Sequence, residues 1–305
     1  MVNPAVTARA RDLKAEFDAA QPFRHLVVDD FLDPAFCAEL AAGFPAFDRE
    51  AAMNELGEVG SKAVYSNVAA LGPAYERFDQ LMKDPEFLAF TGSITGIPDV
   101  LYDPDYEGGG THENLSGQEL DTHVDFNYHP RTATHRRLNL IVFLNAEWRA
   151  EWGGCLELLR DPWVTSGEGF RSVVPLMNRA VLFETSERSW HGFRKIEKPD
   201  GRELSRRSLA VYFYTKTRPE AETAPAHATI YFQRPLPEHI RAGYTLTEED
   251  VHQIQILLTR RDHYMKFLYE REREFSETLS NVVNGRSYRI YQKLVGPIRG
   301  LVKGK

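Results

Sequence analysis

Cysteine is nearly absent from this sequence: only Cys37 and Cys155 occur in 305 residues. Two thiols far apart in the chain exclude a disulfide framework and a cysteine-rich zinc site. Long apolar runs are missing as well; none approaches the ~20 residues that a membrane helix needs. The opening stretch, "MVNPAVTARARDLKAEFDAA", alternates charge with alanine and has no apolar centre, so no signal peptide is expected. Positive charge is not in excess either. Lys and Arg number 37 against 44 Asp and Glu, a formal net charge of −7, which argues against a general nucleic-acid binder. Together these absences point to a reducing, cytoplasmic setting.

What is present is an ordinary globular composition, 42% apolar and 27% charged, with chain enough for one large domain or two small ones. The charge is uneven. Residues 286–305 hold Arg286, Arg289, Lys293, Arg299, Lys303 and Lys305 and no acid, so the remainder has 31 basic against 44 acidic residues and sums to −13. With Tyr288, Tyr291, Leu294 and Leu301, this tail reads either as a solvated terminus or as a segment that touches an anionic membrane surface.

The first hundred residues read mainly as helices. "DPAFCAELAAGF" offers Asp33 as N-cap, Pro34 at the first helical position and Gly43 as a stop; "DPEFLAFTGSITG" repeats the device with Asp84 and Pro85. "PAYERFDQLMK" has apolar residues at helical spacing, and "HLVVDDFL" reads as a short strand. From about residue 100 the pattern changes. "LNLIVFLN", "GCLELL", "RAVLFE" and "SLAVYFYT" are short, rich in β-branched and aromatic residues, and separated by turn signals such as "WGG" and "KPDGRE". Strands in series after helices predict an antiparallel sandwich or barrel with helices on one sheet face. Beyond a Pro/Ala-rich stretch, residues 247–285 predict a long helix that opens on Thr247 with Asp250 and ends at Gly285. Its apolar residues Ile254, Leu258, Met265, Leu268, Phe275, Leu279 and Val282 keep a 3/4 spacing broken by Arg261 and Glu272. The pattern suits a helix docked on the domain, or a dimerisation helix.

The candidate chemistry begins in "DTHVDFNYHP". With ten histidines and seventeen aspartates, about half an H-x-D is expected by chance, so the pair His123 and Asp125 decides nothing alone. On a strand, however, residues i and i+2 share a face, and these two can meet one ion from one side. An imidazole and a carboxylate suit Fe(II), whose facial triad needs one more histidine. His129 and His135 lie in the loop that follows. His191, in "SERSWHGFRKIE", follows the strand "RAVLFE" and is the best placed to close the set. Fifteen residues on, "RRSLAVYFYT" puts Arg206 and Ser208 on one strand face, with Arg207 on the other. A guanidinium there would anchor a carboxylate through two parallel charge-assisted hydrogen bonds.

The order H-x-D, H, R-x-S on a strand-rich core resembles the Fe(II)- and 2-oxoglutarate-dependent dioxygenases, above all the prolyl-4-hydroxylase-like branch. The likeness runs from about residue 108 to 217 and includes "RRLNLIVFLNAEWRAEWGGCLELL", "VVPLMNRAVLFE" and "WHGF". The resemblance implies an α+β fold: a double-stranded β-helix (jelly roll) with N-terminal supporting helices, followed here by a C-terminal helical extension. It implies that His123, Asp125 and His191 bind Fe(II). It also implies that Arg206, assisted by Ser208, holds the distal carboxylate of 2-oxoglutarate, with Asn139 and Phe143 lining the cosubstrate pocket. O2 is then the second cosubstrate, and ascorbate a further candidate. The branch often uses lysine where Arg206 stands, which leaves the chemistry intact and the prolyl substrate open. The carboxylate of Asp125 favours hydroxylation over halogenation, with desaturation or ring closure as other outcomes.

The implied boundaries are a dioxygenase domain at 1–217 (supporting helices over 1–100, jelly-roll core over 101–217), a connector at 218–246 and a helical extension with a basic tail at 247–305. Loop residues Tyr128, His129, Arg131 and Trp163 are the candidate substrate contacts. The expected substrate is a small molecule or a glycan- or lipid-linked compound. The rivals are a peptidyl, prolyl-type hydroxylase acting on a protein, and a non-catalytic jelly roll that binds metal or sugar.

Overall fold

The computed structural model describes residues 1–50, 52–53, 62–163 and 166–285. The basic tail at 286–305, and with it the membrane-contact reading, lies outside the described residues. In chain order the elements are α1 (Pro4–Thr7), α2 (Ala10–Ala19), β1 (His25–Val28), α3 (Pro34–Ala42), β2 (Ala63–Tyr65), α4 (Pro73–Met82), α5 (Pro85–Thr95), β3 (Leu101–Tyr102), β4 (Gly110–Leu115), β5 (Leu120–Val124), β6 (His135–Phe143), β7 (Leu156–Leu159), β8 (Phe170–Val173), β9 (Ala180–Glu184), β10 (Trp190–Phe193), β11 (Ser205–Thr215), β12 (Ile230–Tyr231) and α6 (Glu248–Asn284).

The chain divides into two compact units, Met1–Arg234 and Pro235–Lys305. In the first, a seven-stranded sheet has the order β1-β9-β6-β11-β4-β2, with β3 beside β11; a five-stranded sheet has the order β12-β5-β10-β7-β8. Every pairing described is antiparallel. The strand pattern predicts an antiparallel sandwich or barrel, and these strand orders are those of the double-stranded β-helix that the resemblance implies. Residues 218–234 belong to the first unit: β12 pairs with β5, and Phe232 N–H donates to Thr122 O at 2.7 Å. The Pro/Ala composition of this stretch conceals the short apolar run "TIYF" that supplies the pairing.

The period-two alternation of the large sheet sorts its side chains. One face, with Leu138, Leu140 and Val142 of β6 and Leu209, Val211 and Phe213 of β11, is buried with Leu13, Phe17, Leu40, Phe78, Met82 and Ile94 of the N-terminal helices. Burying each such side chain stabilises the fold by about 1.5–3 kcal/mol. The opposite face meets the small sheet, where Phe143, Val181 and Phe183 join Leu156, Leu158 and Val173. The helix caps form as their residue types require. Asp33 Oδ1 accepts from Ala35 and Phe36 N–H, Asp84 Oδ1 accepts from Glu86 and Phe87 N–H, and Gly96 ends α5 in the left-handed region.

Asn178 stitches these layers at their edge. It is buried with φ at 59°, and its side chain accepts from Leu32 N–H at 2.8 Å and donates to Leu32 O at 2.7 Å. Its own N–H donates to Phe143 O at 2.9 Å. Asparagine tolerates this backbone conformation better than most residues. Asn178→Ala is therefore expected to lower stability by about 3 kcal/mol, measured by urea unfolding, because it strands two buried groups of Leu32. Loss of less than about half a kilocalorie, the noise of a neutral surface change, would contradict this account.

Candidate metal centre and cosubstrate pocket

Strands β5 and β10 are neighbours, and their register sets His123 directly opposite His191, ring centroids 4.2 Å apart. Gly192 permits the approach, since a Cβ there would lie 2.7 Å from Leu120 O. Asp125 follows β5 in the same parity as His123. Its Oδ1 is 3.7 Å from His123 Nε2, and its Oδ2 is 3.5 Å from His191 Nε2. One ligand atom from each of the three residues falls within 4.8 Å of the others.

The backbone orients both rings. Nδ1 of His123 donates to Asp121 O at 2.8 Å, and Nδ1 of His191 donates to Ser189 O at 2.9 Å. Each Nε2 lone pair is thereby left facing Asp125. Burial, with the neighbouring His191 second, lowers the His123 imidazole to about 3; burial also lowers His191. Burial pushes Asp125 the other way, toward the neutral acid. The Arg136 guanidinium, the two imidazoles and the Asn139 amide outweigh it and hold the carboxyl below the usual carboxylate range. Two neutral imidazoles and one charged carboxylate thus converge from one side. That donor set fits a resident Fe(II), with the remaining positions open to ligands.

Arg136 is the residue the strand-parity argument misses. It is 1% exposed and lies 3.2 Å from Asp125 Oδ2. Its Nε and Nη2 donate to Asn139 Oδ1 at 3.0 and 2.9 Å, and Asn139 Nδ2 donates to Asp125 Oδ2 at 2.8 Å. The guanidinium also stacks on the Tyr212 ring, 3.5 Å from its centroid. Residues 136 and 139 have opposite strand parity. They share a face because the β6–β11 register shifts between Phe213, opposite Leu138, and Tyr214, opposite Arg136. The sequence reading places Asn139 against the cosubstrate; both polar ends of its amide are instead engaged in holding Asp125 and Arg136.

Arg206 lies 4% exposed on β11, opposite Asn114 of β4, while Ser208 lies opposite His112 and Phe143. Arg206 Nε donates to Gly154 O at 2.6 Å, and its guanidinium sits 4.3 Å from the Phe193 ring centroid and 5.0 Å from that of Phe143. Gly154, with φ at 65°, leaves room for it: a Cβ would lie 3.3 Å from Arg206 Cδ. Burial lowers Arg206 to about 10, and among the described residues no carboxylate forms an ion pair with it. Arg207, of the other parity, turns outward to Glu113 at 3.0 Å. On β4, His112 Nε2 is 3.4 Å from Lys62 Nζ and 3.2 Å from Gly108 O. Burial lowers Lys62 to about 8, against the attraction of Asp125.

The four loop residues do not converge. His129 is buried, its Nδ1 accepting from Arg131 and Thr132 N–H and its Nε2 donating to Asp103 at 3.2 Å, so both ring nitrogens are engaged. Arg131 pairs with Asp105. Tyr128 stacks on His135 and donates to Ala224 O at 3.4 Å. Trp163 is 71% exposed, with its ring edge on Phe232. Asp103, Asp105 and His129 also fall within ligand distance of one another, but this tautomer of His129 presents a hydrogen there and no lone pair.

Residues 110–214 match the family model described as the 2OG-Fe(II) oxygenase superfamily, a stretch that holds His123, Asp125, Arg136, Asn139, His191, Arg206 and Ser208 but not Lys62. No curated protein matches the chain. Among solved structures, a prolyl 4-hydroxylase from Phytophthora capsici is similar at 17% identity and a TM-score of 0.47, over 98% of this chain and 92% of that one. A Pseudomonas putida prolyl-4-hydroxylase is similar at 17% identity and 0.44, over 68% and 99%. HygX from Streptomyces hygroscopicus, with nickel and 2-oxoglutarate bound, is similar at 13% identity and 0.45, over 72% and 95%.

Arg136→Met keeps the bulk of the side chain and removes the charge beside Asp125. It is expected to weaken divalent-metal binding by about 10–100-fold, read by anaerobic titration calorimetry, with the circular dichroism unchanged. Unaltered affinity in a folded variant would contradict the role given to Arg136.

Proposed function

From the match of residues 110–214 to the 2OG-Fe(II) oxygenase superfamily, we propose that the chain is an oxygenase of that superfamily and hydroxylates an unactivated C–H bond of a small-molecule or glycan- or lipid-linked substrate. As a 2-oxoglutarate-dependent dioxygenase it takes Fe(II) and 2-oxoglutarate. The observation that carries the reading is the pairing of two features in one buried site: the convergent His123, Asp125 and His191, and the Arg206 guanidinium with no carboxylate partner of its own among the described residues.

In this reading His123, Asp125 and His191 hold the metal. Arg206, with Ser208 beside it, takes the distal carboxylate of 2-oxoglutarate through its guanidinium fork. Phe143 and Phe193 form the apolar floor against which that charge pair is screened from water. Bound Fe(II) supplies the coupling of 2-oxoglutarate decarboxylation, which releases succinate and CO2, to transfer of one oxygen atom from O2 to the substrate. Arg136 and Asn139 keep Asp125 charged and fixed in orientation throughout. The near-complete burial of all three ligand side chains, each under a tenth exposed, supports a compact substrate that enters a pocket. Lys62 and His112 offer that substrate polar contacts from the β4 side. The two free, buried cysteines suit a reducing compartment.

The test is an O2-triggered succinate assay against metabolites, nucleotide sugars and peptides. His123→Ala and His191→Ala should abolish metal binding and turnover. Arg206→Ala should keep the metal but raise the 2-oxoglutarate concentration for half-maximal turnover by about 100-fold. Uncoupled 2-oxoglutarate turnover that survives loss of both His123 and Asp125 would overturn the assignment, and turnover confined to peptides would move the substrate to the protein class.

A further inference from the structure

Helix α6 runs for 37 residues, about 55 Å at 1.5 Å per residue. It is closed at its start by a capping box between Thr247 and Asp250. Its apolar residues follow a seven-residue repeat. Val251, Leu258, Met265 and Leu279 occupy one heptad position; Ile254, Leu268, Phe275 and Val282 sit three residues further on. These are the a and d positions of a coiled coil. Seven of the eight are exposed in the single chain, Phe275 at 68%. Ile256 and Phe267 lie outside the seam.

Two charged residues interrupt it, Arg261 at a d position and Glu272 at an a position. They discriminate between the ways two such helices can pair. A parallel pair stacks a on a and d on d, which would bury Arg261 against Arg261 and Glu272 against Glu272. In an antiparallel pair a faces d. Arg261 then meets the partner's Glu272, and the same register sets Val251 against the partner's Val282 and Ile254 against the partner's Leu279. Leu258 falls against the partner's Phe275, and Met265 against the partner's Leu268. Every apolar seam residue gains an apolar counterpart and both charges gain an opposite one. A slip of one heptad in either direction leaves both charges facing apolar side chains.

We propose that α6 pairs with α6 of a second copy of this chain as an antiparallel two-stranded coiled coil, in the register that joins Arg261 to the partner's Glu272. The arrangement is two-fold symmetric about an axis between Lys266 and Phe267, so the ion pair occurs twice. Its desolvation costs stability, and what it contributes is the choice of orientation and register.

Sedimentation equilibrium of the full chain should give a dimer. Arg261→Glu and Glu272→Arg should each weaken association by about two orders of magnitude, and the double variant R261E/E272R should recover to within about threefold of the parent. Val251→Cys and Val282→Cys chains should form a disulfide with each other when mixed. Neither should do so with itself, because the two copies of residue 251 lie ~47 Å apart in this register. A monomer at tens of micromolar, a double variant no better than the singles, or a self-linked Val251→Cys dimer would each overturn the proposal.

Discussion

The centre of this molecule depends on keeping one carboxylate charged inside a β-sandwich. Burial alone would return Asp125 to its neutral acid, which binds a cation poorly. The fold answers with a second buried charge, Arg136, and with an amide, Asn139, that accepts from the guanidinium on one side and donates to the carboxylate on the other. A buried pair of this kind survives only if its remaining donors and acceptors are met. Here Tyr212 and Phe126 present their ring faces to the guanidinium, while the carboxylate and the Nε2 lone pairs of His123 and His191 face one another as the donor set that a cation would join. The polar interior is thus one connected set, and the apolar core lies on the other side of the same strands.

That division explains how much was legible. Strand parity is a property of the chain, so the shared face of His123 and Asp125 and the opposed faces of Arg206 and Arg207 could be read directly. The aspartate-proline helix starts could be read too, because the cap is local: each Asp side chain bonds N–H groups two and three residues on. Arg136 could not be read, because a register shift in β6 reverses its parity relative to Asn139. His129 misled for a related reason. A histidine two residues past Asn127 looks like a loop residue near the site, but what it bonds is set by Asp103, far away in sequence. Residues 218–234 misled through composition, since proline and alanine dominate a stretch whose short apolar run pairs with the ligand strand.

The glycines of "WGGC" and "WHGF" have a comparable status. Their presence signals turns, yet all three sit at close approaches, Gly153 against the backbone of Lys195, and two of these serve the site. Gly154 makes room for the Arg206 side chain, and Gly192 lets β10 meet β5. In both cases the missing Cβ is what lets a functional side chain reach its place. The second unit follows a different logic. In α6 the information lies in the two residues that break an apolar repeat, and it concerns which partner geometry those breaks tolerate.

The most direct measurement of the central claim is an anomalous difference map, at the iron edge, from crystals soaked anaerobically with Fe(II) and 2-oxoglutarate. The account predicts a single peak bounded by His123 Nε2, Asp125 and His191 Nε2, with the distal carboxylate of 2-oxoglutarate on Arg206. A peak among Asp103, Asp105 and His129, or 2-oxoglutarate bound away from Arg206, would contradict it.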